Sequence, residues 1–186
     1  MKKKTIWIIV AAVIVIGGYC WTTYNSFVKL GTGVESAWAN VETQYQRRAD
    51  LIPNLVSTVK GYAKHEQETL DQVVEARAKA LAGGANIEDY AAAQQQVTTA
   101  LGRLIAIAEN YPDLKANTNF LELQAQLEGT ENRIAVARNN YNDVVKVYNT
   151  KCATFPSNLI AKIFDFEKKS LFEAAPGAEN APKVEF

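Results

Sequence analysis

The sequence predicts an all-α protein: an N-terminal transmembrane helix, then an antiparallel up-and-down four-helix bundle, a short fifth helix and a flexible tail. Three observations predict it. One apolar run, Ile6 to Trp21, follows Lys2, Lys3 and Lys4 and is not repeated downstream. From Tyr24 to Cys152 apolar residues recur at helical spacing, and no stretch alternates as a half-buried strand does. Over Phe120 to Tyr148 the spacing tightens into heptads, as in a helix packed along a seam.

The apolar run of about 16 residues rises ~24 Å, short of a ~30 Å hydrocarbon core unless Thr5 and Thr22 to Tyr24 extend it. Trp7 at one end and Tyr19, Trp21 and Tyr24 at the other stand where aromatic rings favour the headgroup level. The lysines before the span predict a cytoplasmic N-terminus, with residues 25–186 outside the cytoplasm. A cleaved signal peptide is the alternative, because Ile6 to Ile16 has the length of an ordinary apolar h-region. The cleavage chemistry opposes it: Gly18 and Cys20 are a weak small-residue pair before bulky Trp21, and Tyr19 disfavours lipidation at Cys20.

With 20 basic and 20 acidic side chains in 186 residues, removing the three N-terminal lysines leaves a body of about −3. Nucleic acid is therefore not an expected partner. Cys20 and Cys152 do not make an internal disulfide framework, so the core must come from packing. The expected divisions are residues 1–24 for the anchor, 25–152 for the bundle, 153–172 for a short amphipathic region and 173–186 for the tail.

The first helix carries Phe27, Leu30, Val34, Ala37, Trp38, Val41 and Tyr45 on one face. Asp50 and Pro53 read as the start of a second helix, since Asp caps free N–H groups and Pro suits a first turn. A kinked continuous helix is the alternative, because Ile52, Leu55, Val59 and Tyr62 continue the stripe nearly in phase. The second helix runs on through Leu70, Val73 and Ala80 to the glycine pair Gly83-Gly84, which suits a C-cap. The third starts after Asn86, with Glu88 and Asp89 facing the positive dipole end, and stops at Tyr111-Pro112. In the fourth, Phe120, Leu127, Ile134, Tyr141 and Tyr148 form one register, and Leu123, Thr130, Ala137 and Val144 the other.

Four alternating helices return the chain to the membrane. The segment delivered there interleaves Leu159, Ile160, Ile163, Phe164 and Phe166 with Lys162, Lys168 and Lys169, the pattern of an interfacial helix. Leu159, Ile160, Ile163 and Phe164 are thus candidates for contact with the bilayer or a neighbouring subunit; closing the end of the bundle is the plainer alternative.

Catalytic chemistry has little support. His65-Glu66 lacks the second His of a zinc-protease motif, since Thr69 stands at that place, and the chain has a single His. No phosphate loop or nucleophile elbow occurs, and no cofactor or metal is expected. More informative are Arg48, Glu66, Glu131 and Arg138 on or beside apolar seams. Arg48 lies one heptad past Val41, Glu66 one past Val59, and Glu131 and Arg138 flank the fourth seam. Such charges specify register between helices; a ligand-binding polar pocket is the alternative. Tyr45, Tyr62, Tyr141 and Tyr148 read as core residues with hydroxyls at its edge.

Several long blocks resemble the LemA family of bacterial membrane proteins. They are RRADLIPNLVSTVKGYAKHE from Arg47 to Glu66, TLDQVVEAR from Thr69 to Arg77 and ALGRLIAIAENYPDLKAN from Ala100 to Asn117. ENRIAVARNNYND from Glu131, YNTKCATFPSNLIAKIF from Tyr148 and the terminal APKVEF from Ala181 complete the set. The resemblance implies one N-terminal transmembrane helix and a bromodomain-like four-helix arrangement. It implies no catalytic residue or cofactor; a relative's link to magnetosome formation hints at membrane organisation. The resulting expectation is a non-enzymatic membrane-anchored scaffold that organises envelope proteins or membrane, with the lipid bilayer, further copies of itself and envelope proteins as partners. A tethered ligand sensor or adaptor is the alternative, and an enzyme with a composite site the weakest.

Overall fold

The structure is a computed structural model that describes residues 2–63, 65–84 and 86–173; the expected tail lies outside these residues from 174 onward. Every regular element among them is helical. They fall into two compact units: residues through Thr43 with Ala135–Ser170, and Gln44–Ile134 with the chain from Leu171.

In the first unit lie the N-terminal part of α1 (Lys2–Tyr62), the C-terminal part of α5 (Thr118–Ala153) and α6 (Ser157–Ile163). The apolar stretch of α1 is bare: Trp7 is 73 % and Val15 70 % exposed, which in water would be a large unfavourable apolar surface. Past it the helix acquires a partner. The ring of Phe27 meets Tyr148 edge-on at 6.1 Å, and that of Trp38 meets Tyr141 at 5.6 Å. Between them Gly33 faces Val144, so residue numbers rise along α1 as they fall along α5. Lys151 donates to the Ser26 hydroxyl and lies over the Phe27 ring.

The heptad seam of α5 is corrected at its end. Phe120, Leu127, Ile134, Tyr141 and Tyr148 are buried as expected, but the second register passes to Val145, fully buried, while Val144 is only half-buried. A straight helix turns 3.6 residues, so a strict 3.5 repeat drifts about 20° per heptad and the inward face moves by one position.

The second unit contains the remainder of α1, α2 (Gln67–Leu81), α3 (Ile87–Ala108), α4 (Pro112–Lys115) and the start of α5. Its core is built around Ile52, Leu55, Val59, Val73, Leu104 and Leu114, all fully buried. The expected break at Asp50 and Pro53 does not occur, for α1 runs through Pro53 to Tyr62. Asp50 is no cap; it accepts from Gln46 Nε2 one turn earlier at 2.7 Å. Pro53 cannot donate to the Ala49 carbonyl, and Arg77 Nε of α2 donates to that oxygen instead, at 2.8 Å. Helix α1 ends instead at Tyr62 and α2 opens at Gln67, with Glu66 N–H donating to Ala63 O at 3.2 Å. Tyr62 is accordingly 44 % exposed rather than in the core, and its hydroxyl accepts from Asn117.

The other helix ends follow local chemistry. Gly83 takes a left-handed φ of 77° just beyond α2. Asn86 caps α3 by accepting from the Asp89 N–H at 2.7 Å, and Pro112 occupies the first turn of α4. Asn117 Oδ1 accepts from Phe120 N–H at 3.1 Å, tying the first turn of α5.

Candidate functional site

Arg48 sits on the inward stripe of α1 among Tyr45, Ile52 and Leu55, and only 1 % of its surface is exposed. A lone guanidinium there would carry a prohibitive desolvation penalty. The chain surrounds it with acceptors. Nη1 donates to Glu131 Oε1 at 2.5 Å and to Thr98 Oγ1 at 2.8 Å; Nη2 donates to Gln94 Oε1 at 2.7 Å and to the Gln94 carbonyl at 3.0 Å. The guanidinium also stacks 5.2 Å from the Tyr45 ring centre, and that ring meets Tyr90 edge-on. The pair is asymmetric in solvation: the side chain of Arg48 is 2 % exposed and that of Glu131 39 %.

One arginine of α1 is thereby fixed to α3 and α5 by four directional bonds, which a one-residue slip of any partner would break. Four of its five N–H groups are given to acceptors of the chain itself. The chemistry on offer is alignment of helices.

The other expected members lie elsewhere. Glu66 accepts from the Tyr111 hydroxyl at 2.9 Å, a separate contact. That bond first, then burial and the carboxylate charge, raises the Tyr111 phenol above its ordinary value. Arg138 is half-buried and belongs to the first unit. Gln94 and Thr98 are absent from the expected set, although Gln94 stands in phase just ahead of the apolar series Val97, Leu101, Leu104 and Ala108. A polar residue on an apolar stripe is the signal that could have found it. Among the described residues no group of three or more His, Cys, Asp or Glu side chains is arranged to hold a metal.

The amphipathic segment after α5 is held firmly in the first unit. The Ser157 hydroxyl lies within hydrogen-bond distance of the carbonyls of Lys151 and Thr154, which share its one proton. Asp165, at φ 59°, ends α6 in a left-handed cap, with Phe166 N–H returning to Ala161 O at 2.9 Å. Asn149 pins Lys169 through both main-chain groups at 2.8 Å, and Tyr141 donates to Ser170 O at 3.1 Å. Of the candidate contact residues, Ile160 is only 5 % exposed and packs inward, whereas Leu159, Ile163 and Phe164 are 51, 71 and 49 % exposed.

These features define a class: an all-helical protein with one N-terminal helix long and apolar enough to cross a membrane, and a body whose helices are aligned through a buried arginine. The LemA family model matches residues 37–186, and the chain belongs to the LemA family. It is 25 % identical over 181 residues to magnetosome protein MamQ 2 of Paramagnetospirillum magneticum, covering 84 % of this chain and 66 % of that protein. To protein LemA of Metamycoplasma hominis it is 24 % identical over 151 residues, covering 81 and 69 %. Magnetosome protein MamQ of Magnetospirillum gryphiswaldense is 24 % identical over 181 residues, covering 84 and 66 %. The chain therefore spans just under two thirds of the length of the MamQ relatives it matches.

Proposed function

We propose that this protein is a non-enzymatic, single-pass scaffold of the bacterial inner membrane, which associates laterally with copies of itself to organise envelope proteins or membrane. The lysines at positions 2–4 face the cytoplasm in this reading and the helical body, an antiparallel four-helix bundle, lies outside. One observation carries it: the bare apolar stretch and the buried stretch with Phe27, Val34 and Val41 belong to the same helix α1 within one compact unit. The anchor is thus a structural part of that unit rather than a leash, as suits a protein that orders its neighbours in the plane of the membrane. The four bonds of Arg48 to acceptors on α3 and α5 favour alignment over ligand capture. The names of the magnetosome relatives add support, since they associate those proteins with a cellular assembly.

Native mass spectrometry of the full chain released from nanodiscs tests the proposal. A discrete oligomer is expected, and a monomer at every loading contradicts it. An impermeant amine reagent on intact spheroplasts tests the orientation: exposed Lys60 should react before lysis, and its protection would reverse the topology.

A further inference from the structure

The segment from Phe155 to Lys169 carries a face that no other described residue covers. Phe155, Leu159, Ile163 and Phe164 are 74, 51, 71 and 49 % exposed, with Lys162, Lys168 and Lys169 exposed among them. Scattered surface apolar residues are ordinary, but here they are concentrated on one short piece of chain whose backbone is fastened at Ala161, Phe166 and Lys169. The face is presented in a fixed form.

Its location identifies what covers it. Phe164 lies edge-on to Tyr24 with centroids 4.9 Å apart, and Phe166 contacts Tyr24 at 5.6 Å and stacks on Phe27 at 4.8 Å. Tyr24 is three residues past Trp21, the last residue of the apolar run, or about 4.5 Å along the helix. That run rises ~24 Å against a ~30 Å hydrocarbon core, so a bilayer spanned by it must reach residues 22–24. The ring that touches Phe164 is then at the headgroup boundary, and Phe164 is held at the same depth.

We propose that the exposed apolar face of residues 155–164 is a membrane-interface element, with Ile163 and Phe164 inserted among phospholipid headgroups. It fixes the tilt and rotation of the first unit against the membrane. The inference rests on the transmembrane reading of that helix. Over residues 162–169 the three lysines exceed Asp165 and Glu167 by one charge, so anionic lipid strengthens the contact only modestly and apolar insertion carries it.

The test uses the full chain with Cys20→Ala and Cys152→Ser, bearing one environment-sensitive fluorophore at Ile163→Cys, in nanodiscs of phosphatidylcholine with some phosphatidylglycerol. Lipids carry a nitroxide near the headgroup or deep in the acyl chain. Two control sites are Val136→Cys, on exposed α5, and Ile14→Cys, within the span. The expected result is headgroup-level quenching several-fold stronger at 163 than at 136, with the deep nitroxide quenching 14. Quenching at 14 but not at 163 overturns the interface element and leaves the span intact. No quenching at 14 removes the span and this inference together. Equal quenching at 163 and 136 overturns a localised contact. Disulfide cross-linking between unlabelled copies of the Ile163→Cys chain, without lipid quenching of the labelled one, overturns it in favour of a second copy on this face.

Discussion

Arg77 donates from Nε to the main-chain oxygen of Ala49 at 2.8 Å, supplying the hydrogen bond that Pro53 withholds four residues later in α1. A proline inside a helix normally leaves that carbonyl unpaired and bends or ends the helix. A charged donor from α2 offsets the loss, and the helix continues to Tyr62.

Arg77→Met should therefore destabilise the detergent-solubilised full chain by about 1–3 kcal/mol, the cost of leaving a buried carbonyl unsatisfied. In a Pro53→Ala background the same substitution should cost less than about 1 kcal/mol, because residue 53 then carries the N–H that Ala49 needs. A double-mutant cycle by chemical denaturation measures the difference. Equal costs in both backgrounds would deny the coupling.

Arg48 sets up a second prediction. Arg48→Met removes four hydrogen bonds but leaves a partly solvated Glu131, whereas Glu131→Ala leaves a buried guanidinium with neutral acceptors only. Each should cost roughly 3 kcal/mol. Arg48→Lys should recover less than half of the loss, since a single ammonium cannot reach the forked set of acceptors. Unfolding midpoints decide it, and an unaltered Arg48→Lys protein would contradict the alignment role.

The same two residues mark how far the fold and the site are legible in the sequence. Periodicity alone locates the inward faces, because burial of apolar side chains is what the period records: Val41, Ile52, Leu55, Phe120 and Ile134 are all buried. Arg48 and Glu131 are recognisable as charges on or beside those faces. Their neutral partners are less so, since Gln94 and Thr98 also suit a solvated helix surface. Pro53 reads as a helix start because local rules hold when no distant donor exists, and Arg77 lies 28 residues from the carbonyl it serves. The cap at Asp165 is equally hidden, because the left-handed conformation is usually signalled by glycine.

Between α1 and α5, Gly33 has room for a side chain: a Cβ there would meet Val144 Cγ1 at 3.6 Å, an ordinary contact. Gly33→Ala should stabilise the protein by about 0.5–1 kcal/mol through helix propensity. Val145→Ala should destabilise it by roughly 2 kcal/mol and Val144→Ala by distinctly less, following their burial. The reverse order of the two valine variants in thermal unfolding would restore the strict heptad register.

Tyr148 gives a pH signature. Burial, and after it the neighbouring Cys152 thiol, pushes its phenol up to about 12. The unfolded phenol titrates near ~10, so the folded state binds the proton more tightly. That contribution is complete below pH ~10 and is lost as pH rises from there through the folded value. Denaturation of the parent and of Tyr148→Phe at about pH 9 and about 11.5 should show the parent losing more stability than the variant. Parallel losses would mean that Tyr148 ionises as freely in the fold as outside it.

Lateral association is the central claim, and energy transfer between donor- and acceptor-labelled full chains in liposomes tests it most directly. If the chain assembles, transfer should persist as lipid is added at constant protein and fall when unlabelled chain is mixed in before reconstitution. Transfer that declines with lipid dilution as randomly spaced monomers require would contradict a self-associating scaffold.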